Sequence, residues 1–180
     1  FDNRLKYEDI KRLTQLPVLG NMPHNTDGTN RVVFENPNSA LSEAYRLLRA
    51  RMQFLTKEAA SPVILVTSSM PGEGKTFTTI NLASVYSLLD KKTVIVGFDL
   101  RKPKIHQDFK LKNEKGVSTW LIGKDTLQDV IQETPYANLS VIASGPVPPN
   151  PSELTALGKT EELFKQLRER FDYIIVDSSP

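Results

Sequence analysis

The chain has 180 residues, with 23 lysines and arginines against 21 aspartates and glutamates, 39% hydrophobic residues and no cysteine. That suits one globular domain and excludes a disulfide framework, a thiolate nucleophile and a cysteine-based zinc site. A net charge of +2 gives no sign of nucleic-acid binding, and no apolar run approaches the ~18 residues that span a bilayer.

Residues 1–37 read as a lead-in, with a short helix over Glu8–Leu13 and then punctuation at Pro17, Gly20, Pro23, Gly28 and Pro37. The domain proper is expected over 38–180. Leu41, Ala44, Tyr45, Leu48, Met52 and Leu55 recur at helical spacing and mark one buried face, with Ser39 or Ser42 as its cap. A β-branched run, Val63–Thr67, leads into a glycine-rich turn and an apolar helix from Lys75 to about Leu89. Further strands are expected at Thr93–Phe98, Leu139–Ala143 and Tyr173–Asp177. Helices are expected at Val117–Ile122, Leu127–Gln132 and Glu161–Arg170, the last with Leu163, Phe164 and Leu167 on one face. Apolar strands alternating with helices predict the α/β class, a doubly wound and mostly parallel sheet covered on both faces.

The turn Ser68–Thr76 has the parts of a phosphate-binding loop. Glycines at 72 and 74 let backbone N–H groups close around phosphate oxygens at a helix N-terminus. Lys75 supplies the cation for the β- and γ-phosphates, and Thr76 the hydroxyl for magnesium. The strict pattern asks for a glycine where this chain has Ser69; the strand–loop–helix context is what confirms the motif.

Ligands bind at the carboxyl ends of strands in open α/β sheets. Asp177, ending the last strand, is placed there either to hold magnesium in the manner of a Walker-B aspartate or simply to cap a turn. Asp99 ends the second strand and is a candidate for magnesium or for receiving the acceptor's proton. Arg101 and Lys102 either meet phosphate or form a solvated loop.

These residues resemble the bacterial tyrosine kinases (BY-kinases) of capsular and exopolysaccharide export. The resemblance rests on the loop Ser69-Met70-Pro71-Gly72-Glu73-Gly74-Lys75-Thr76, on Val94–Arg101 as a Walker-A′ element, and on Ile174–Pro180 as Walker B. It implies a P-loop NTPase-type fold and an ATP- and Mg2+-dependent protein-tyrosine autokinase, acting in trans on a tyrosine tail. Lys75, Asp99 and Asp177 would be catalytic. Ser69, Pro71, Gly72, Glu73, Gly74, Lys75, Thr76, Phe77 and Arg101 would bind the nucleotide, and Thr76, Asp99 and Asp177 the metal.

The family's Glu-x-x-Arg-x-x-Arg element of ring-like self-assembly appears as Glu43, Arg46 and Arg49, off the apolar stripe and free to meet a neighbour. Unaided, these three read as a solvated charged face. Asn150-Pro151 reads as a cap followed by a first-turn proline. The lead-in Leu16–Gly20 resembles the joint to a membrane-anchored polysaccharide co-polymerase segment. Implied partners are other copies of the chain, the tyrosine tail of a neighbour, that segment and a protein-tyrosine phosphatase; the implied place is the cytoplasmic face of the bacterial inner membrane.

Two departures stand out. The family's first Walker-A′ aspartate falls on Gly97, which keeps open a non-catalytic ATP-binding scaffold. The family's acceptor tyrosines lie in a C-terminal tail, whereas Tyr7, Tyr45, Tyr86, Tyr136 and Tyr173 are scattered, and Tyr45, Tyr86 and Tyr173 sit in core-like patterns. A chain that opens on Phe1 and closes at Pro180, just past Walker B, is expected to be a piece of a longer protein, with the C-terminal part of the domain beyond it. The partition and cell-division switch ATPases of the superfamily carry a signature lysine that would fall at Met70, and its absence argues against them. A small-molecule kinase finds no substrate signature here.

Overall fold

The computed structural model describes residues 7–156 and 158–180. Helix α1 (Tyr7–Leu13) and the short α2 (Val32–Glu35) precede α3 (Ala40–Leu55), β1 (Val63–Val66), α4 (Lys75–Ser87) and β2 (Thr93–Gly97). Then come α5 (Ile105–Asp108), α6 (Val117–Leu121), α7 (Leu127–Val130), β3 (Ile131–Glu133) and β4 (Leu139–Ile142). The order closes with α8 (Pro151–Ala156), α9 (Lys159–Arg168) and β5 (Tyr173–Asp177).

The sheet runs β1-β5-β2-β4-β3, parallel except for β3, which pairs antiparallel with β4. β2 is buried at every residue and β5 at all but its first, as strands covered on both faces must be. Their side chains alternate between two cores. Ile95, Val141 and Ile175 face α2, α3 and α4, while Val94, Val96, Ile142, Ile174 and Val176 face α6, α7, α8 and α9. This is the doubly wound arrangement the periodicity predicts.

α3 is capped by Ser39, whose hydroxyl accepts from the Ser42 N–H at 3.1 Å. Its inward face is Leu41, Tyr45, Leu48 and Met52, but Leu55, the last residue of the expected stripe, is exposed. Thr79–Ser87 of α4 are all buried, which a helix tolerates only when neighbours surround it. Tyr86 stacks on Tyr173 with ring centroids 3.8 Å apart. Tyr45 and Tyr86 are fully buried, and desolvation pushes both phenols up to about 12, so these are core side chains.

Two segments differ from expectation. The helix read over Leu127–Gln132 stops at Val130, and Ile131–Glu133 instead extend the sheet against Ile142, Val141 and Ser140. β-branched Ile131 at the junction favours the strand once an open edge lies beside it. In addition, Val32 and Val33, within the stretch read as a lead-in, are completely buried in the core between α3 and α4.

Candidate active site

The site forms at the carboxyl edge of the sheet. β1 runs out at Val66, and the chain turns through Ser68–Gly74 into α4. Gly72 and Gly74 take φ of 85° and 88°, a region costly for any residue with a Cβ. Gly74 is also the N-cap of α4. This turn aims the helix's unpaired N–H groups into the loop, where an anion would sit.

Three contacts hold the loop's shape. The Lys75 ammonium donates to Ser68 Oγ at 3.0 Å, Ser68 Oγ donates to the Met70 carbonyl at 2.8 Å, and the Met70 N–H donates to Glu73 Oε2 at 3.0 Å. The Met70 bond, first among several local donors, holds the Glu73 carboxyl below its ordinary range. Glu73 thus braces the outside of its own loop.

β5 brings Asp177 to the same edge. Asp177 Oδ2 accepts from Thr76 Oγ1 at 2.8 Å and Oδ1 from Thr79 Oγ1 at 3.5 Å. The residue is buried, and desolvation, aided by the Asp99 charge, pushes its carboxyl up to about 6 against the lowering by Thr76 and Lys75. Asp99, beyond the end of β2, accepts from the N–H groups of Arg101 (3.1 Å) and Lys102 (3.0 Å) through Oδ1. That turn points the basic loop along the cleft.

The cleft has a volume of about 560 Å³. Pro71, Gly72, Gly74, Lys75, Thr76 and Phe77 line its loop side; Asp99, Arg101, Lys102 and Lys104 line another. Ser69 and Glu73 are absent from its lining. Asn30 and Asp108 also line it, and no motif marked them: Asn30 lies in a stretch that reads only as punctuated linker, and Asp108 in a four-residue helix.

The donor set suits a hard divalent cation. Asp177 is a buried carboxylate whose partners are hydroxyls, and no group of three or more His, Cys, Asp or Glu side chains converges among the described residues. Magnesium tolerates so sparse a protein shell because it keeps waters and substrate phosphate oxygens as ligands.

At Gly97, register partner of Asp177, an added Cβ would lie 2.8 Å from Ser144 Oγ, 2.9 Å from Ile105 Cγ2 and 3.1 Å from the Ser144 N. The strand-end position where the resemblance asks for an aspartate is here filled by its neighbours.

On α3, Glu43 and Arg46 are paired at 3.0 Å on the surface, and Arg46 also reaches the Pro37 carbonyl at 2.6 Å. Arg49 instead turns onto its own chain. It is half-buried and donates to the Val85 carbonyl at 3.4 Å.

A strand, a glycine-rich loop closed on a helix N-terminus, and two carboxylates on neighbouring strand ends define a P-loop nucleotide-binding domain. A family model described as an AAA domain matches residues 61–180. Tyrosine-protein kinase YwqD of Bacillus subtilis (strain 168) is 35% identical over 151 residues, covering 84% of this chain and 64% of its own. Of solved structures, the chimerical protein CapA2B2 matches with TM-score 0.88 and 35% identity, over 97% of this chain and 76% of that one. The kinase domain of Escherichia coli tyrosine kinase ETK matches with TM-score 0.81 and 35% identity, over 88% and 62%. The chain belongs to the AAA-domain family, among its bacterial tyrosine kinases. It spans about two thirds of YwqD. No helix among the described residues is long and apolar enough to cross a membrane.

Proposed function

We propose that this chain is the phosphoryl-transfer domain of an ATP- and Mg2+-dependent protein-tyrosine kinase of a capsular or exopolysaccharide system. It would act in trans on the tyrosine tail of a neighbouring copy. The observation that carries this is the convergence of Lys75, Thr76 and Asp99 on one cleft, with buried Asp177 bonded directly behind Thr76.

In this reading the amides of 72–77 and the Lys75 ammonium bind the phosphates and stabilise charge on the transferring group. Lys75 leaves Ser68 to do so. Thr76 Oγ1 and Asp177 hold the metal, whose chemistry is to neutralise charge on the phosphate oxygens. Asp99 orients the acceptor hydroxyl or the metal, and Arg101 adds positive charge along the phosphates. Ser69, Pro71 and Glu73 shape the loop. Glu43 and Arg46 offer the surface toward a neighbouring copy, and the lead-in continues toward a membrane co-polymerase segment at the cytoplasmic face of the inner membrane. A tyrosine phosphatase would reverse the modification.

The test is to incubate the full-length protein with ATP and Mg2+ and probe for phosphotyrosine, with Lys75→Met as control. Phosphotyrosine in the parent and none in the variant supports the kinase. ATP binding without phosphotyrosine in either supports a second reading, an ATP-binding assembly scaffold, which Gly97 and its close packing favour.

A further inference from the structure

The cleft has a wall that no motif accounts for, and one buried amide holds it. Asn81 lies on α4, six residues after Lys75, and is completely buried. Its Nδ2 donates to the Asn30 carbonyl at 2.9 Å and to the Phe77 carbonyl at 2.8 Å, while its Oδ1 accepts from the Val33 N–H at 3.0 Å. Both amide hydrogens are used. The orientation is fixed, since an oxygen facing two carbonyls would have nothing to accept.

The two elements tied together are unrelated in sequence. Phe77 is in the first turn of the P-loop helix and lines the cleft, and Asn30 lines it from the segment before α3. Asn30 then crosses to α5, donating from its side chain to Asp108 Oδ1 at 2.7 Å. Arg31 adds a bond to the Asp108 carbonyl and one to Glu35. α5 follows directly on the loop that carries Asp99, Arg101, Lys102 and Lys104. A single carboxamide therefore clasps both ends of the 30–33 segment to α4, and Asn30, latched also to α5, is the residue of this strap that reaches the cleft wall.

We propose that Asn81 is a positioning residue of the nucleotide cleft: it holds the 30–33 strap on the P-loop helix so that Asn30, latched to Asp108, forms the cleft wall against which the nucleotide is bound. The proposal rests on the nucleotide-binding reading above. An alanine at 81 would strand two carbonyls and an N–H in the interior, and an aspartate would keep the Val33 bond but lose both donations.

The test uses the full-length protein, Mg·ADP affinity by calorimetry, and the KM for ATP and kcat of phosphotyrosine formation. The variants are Asn81→Ala, Asn81→Asp, Asn30→Ala and the double variant Asn81→Ala/Asn30→Ala. The expected result for Asn81→Ala and Asn81→Asp is ADP affinity weakened roughly tenfold, with KM raised and kcat nearly held, the signature of lost binding rather than lost chemistry. Asn30→Ala changes an exposed side chain, so it folds like the parent and weakens ADP several-fold; in the double variant it adds nothing to Asn81→Ala, because the strap is already released. A merely structural Asn81 would lower the melting temperature and the active fraction and leave KM in place, overturning the proposal. Parent-like ADP affinity in Asn81→Asp and Asn30→Ala would also overturn it. Absence of ADP binding in the parent itself would overturn the nucleotide reading and this proposal together, and Lys75→Met, indistinguishable from the parent in that case, identifies it.

Discussion

Thr76 Oγ1 donates to Asp177 Oδ2 across 2.8 Å, joining residues 101 positions apart in sequence. One is the second residue of the P-loop helix and the other the last of β5, so the bond ties the loop to the strand end behind it. It also leaves a buried carboxylate supported by hydroxyls, with no guanidinium or ammonium of the described residues bonded to it.

Thr76→Val keeps the shape and removes the donor. Asp177 Oδ2 then loses its short bond inside the protein, which costs about 1–3 kcal/mol for an unsatisfied buried acceptor. Chemical denaturation at pH 7 is expected to show that loss, and Mg2+-dependent ADP binding is expected to fall more than tenfold.

The Asp177 carboxyl sits at about 6 in the folded chain, above its unfolded value of ~3.9. The folded state therefore holds the proton more tightly, and this group's contribution is full below pH ~4 and lost as pH rises through about 6. Its share of the decline is at most about 3 kcal/mol. Asp177→Asn is expected to flatten that pH 4–6 decline and to stabilise the ligand-free protein at pH 7, while abolishing Mg2+-dependent nucleotide binding. An unchanged decline in the variant would show that another group carries it.

Gly97→Asp would not simply restore a missing carboxylate. Its Cβ meets Ser144 Oγ, Ile105 Cγ2 and the Ser144 backbone N at 2.8–3.1 Å, so even Gly97→Ala is expected to cost about 1–3 kcal/mol by overpacking. Thermal melts should rank the parent above Gly97→Ala and Gly97→Ala above Gly97→Asp. Adding Ser144→Gly to Gly97→Asp removes the hydroxyl contact and is expected to recover part of the stability, which makes the pair the proper background for a phosphotyrosine assay.

Glu43, Arg46 and Arg49 on α3 are expected to separate experimentally. Glu43 and Arg46 form an exposed pair worth about 0–1 kcal/mol, so Arg46→Glu should leave the melting temperature nearly unchanged and alter the sedimentation of the full-length protein. Arg49 is half-buried against α4, donating to the Val85 carbonyl. Arg49→Ala should therefore lower stability by about 1–2 kcal/mol through lost packing and a Val85 carbonyl left without its donor.

The phosphate loop was legible because its chemistry is local: the glycines, Lys75 and Thr76 occur within five residues, between a β-branched run and a helical one. The parallel sheet was legible for a similar reason, since β2 and β5 are apolar at nearly every position. β3 was not, because three residues gain strand character only from the β4 edge beside them. Leu55 shares the spacing of Leu41 and Tyr45, but the helix ends before anything packs on it. Glu73 sits inside the motif, yet only the fold shows its carboxylate turned back on Met70, away from the cleft. Arg49 shares its helix face with Arg46 by spacing, yet it turns to Val85 once α4 lies alongside.

The sequence alone determined the class of fold, the order of the four parallel strands and the longer helices between them, and the phosphate loop, because each follows from periodicity or from residues adjacent in the chain. Only the tertiary structure decided that Asp177 is buried against Thr76, that Gly97 is filled by Ser144, and that Asn81 brings Asn30 to the cleft. Those are contacts across 101, 47 and 51 positions. Side-chain hydrogen bonds and close packing at such separations depend on how the layers settle against each other, and no local pattern encodes them.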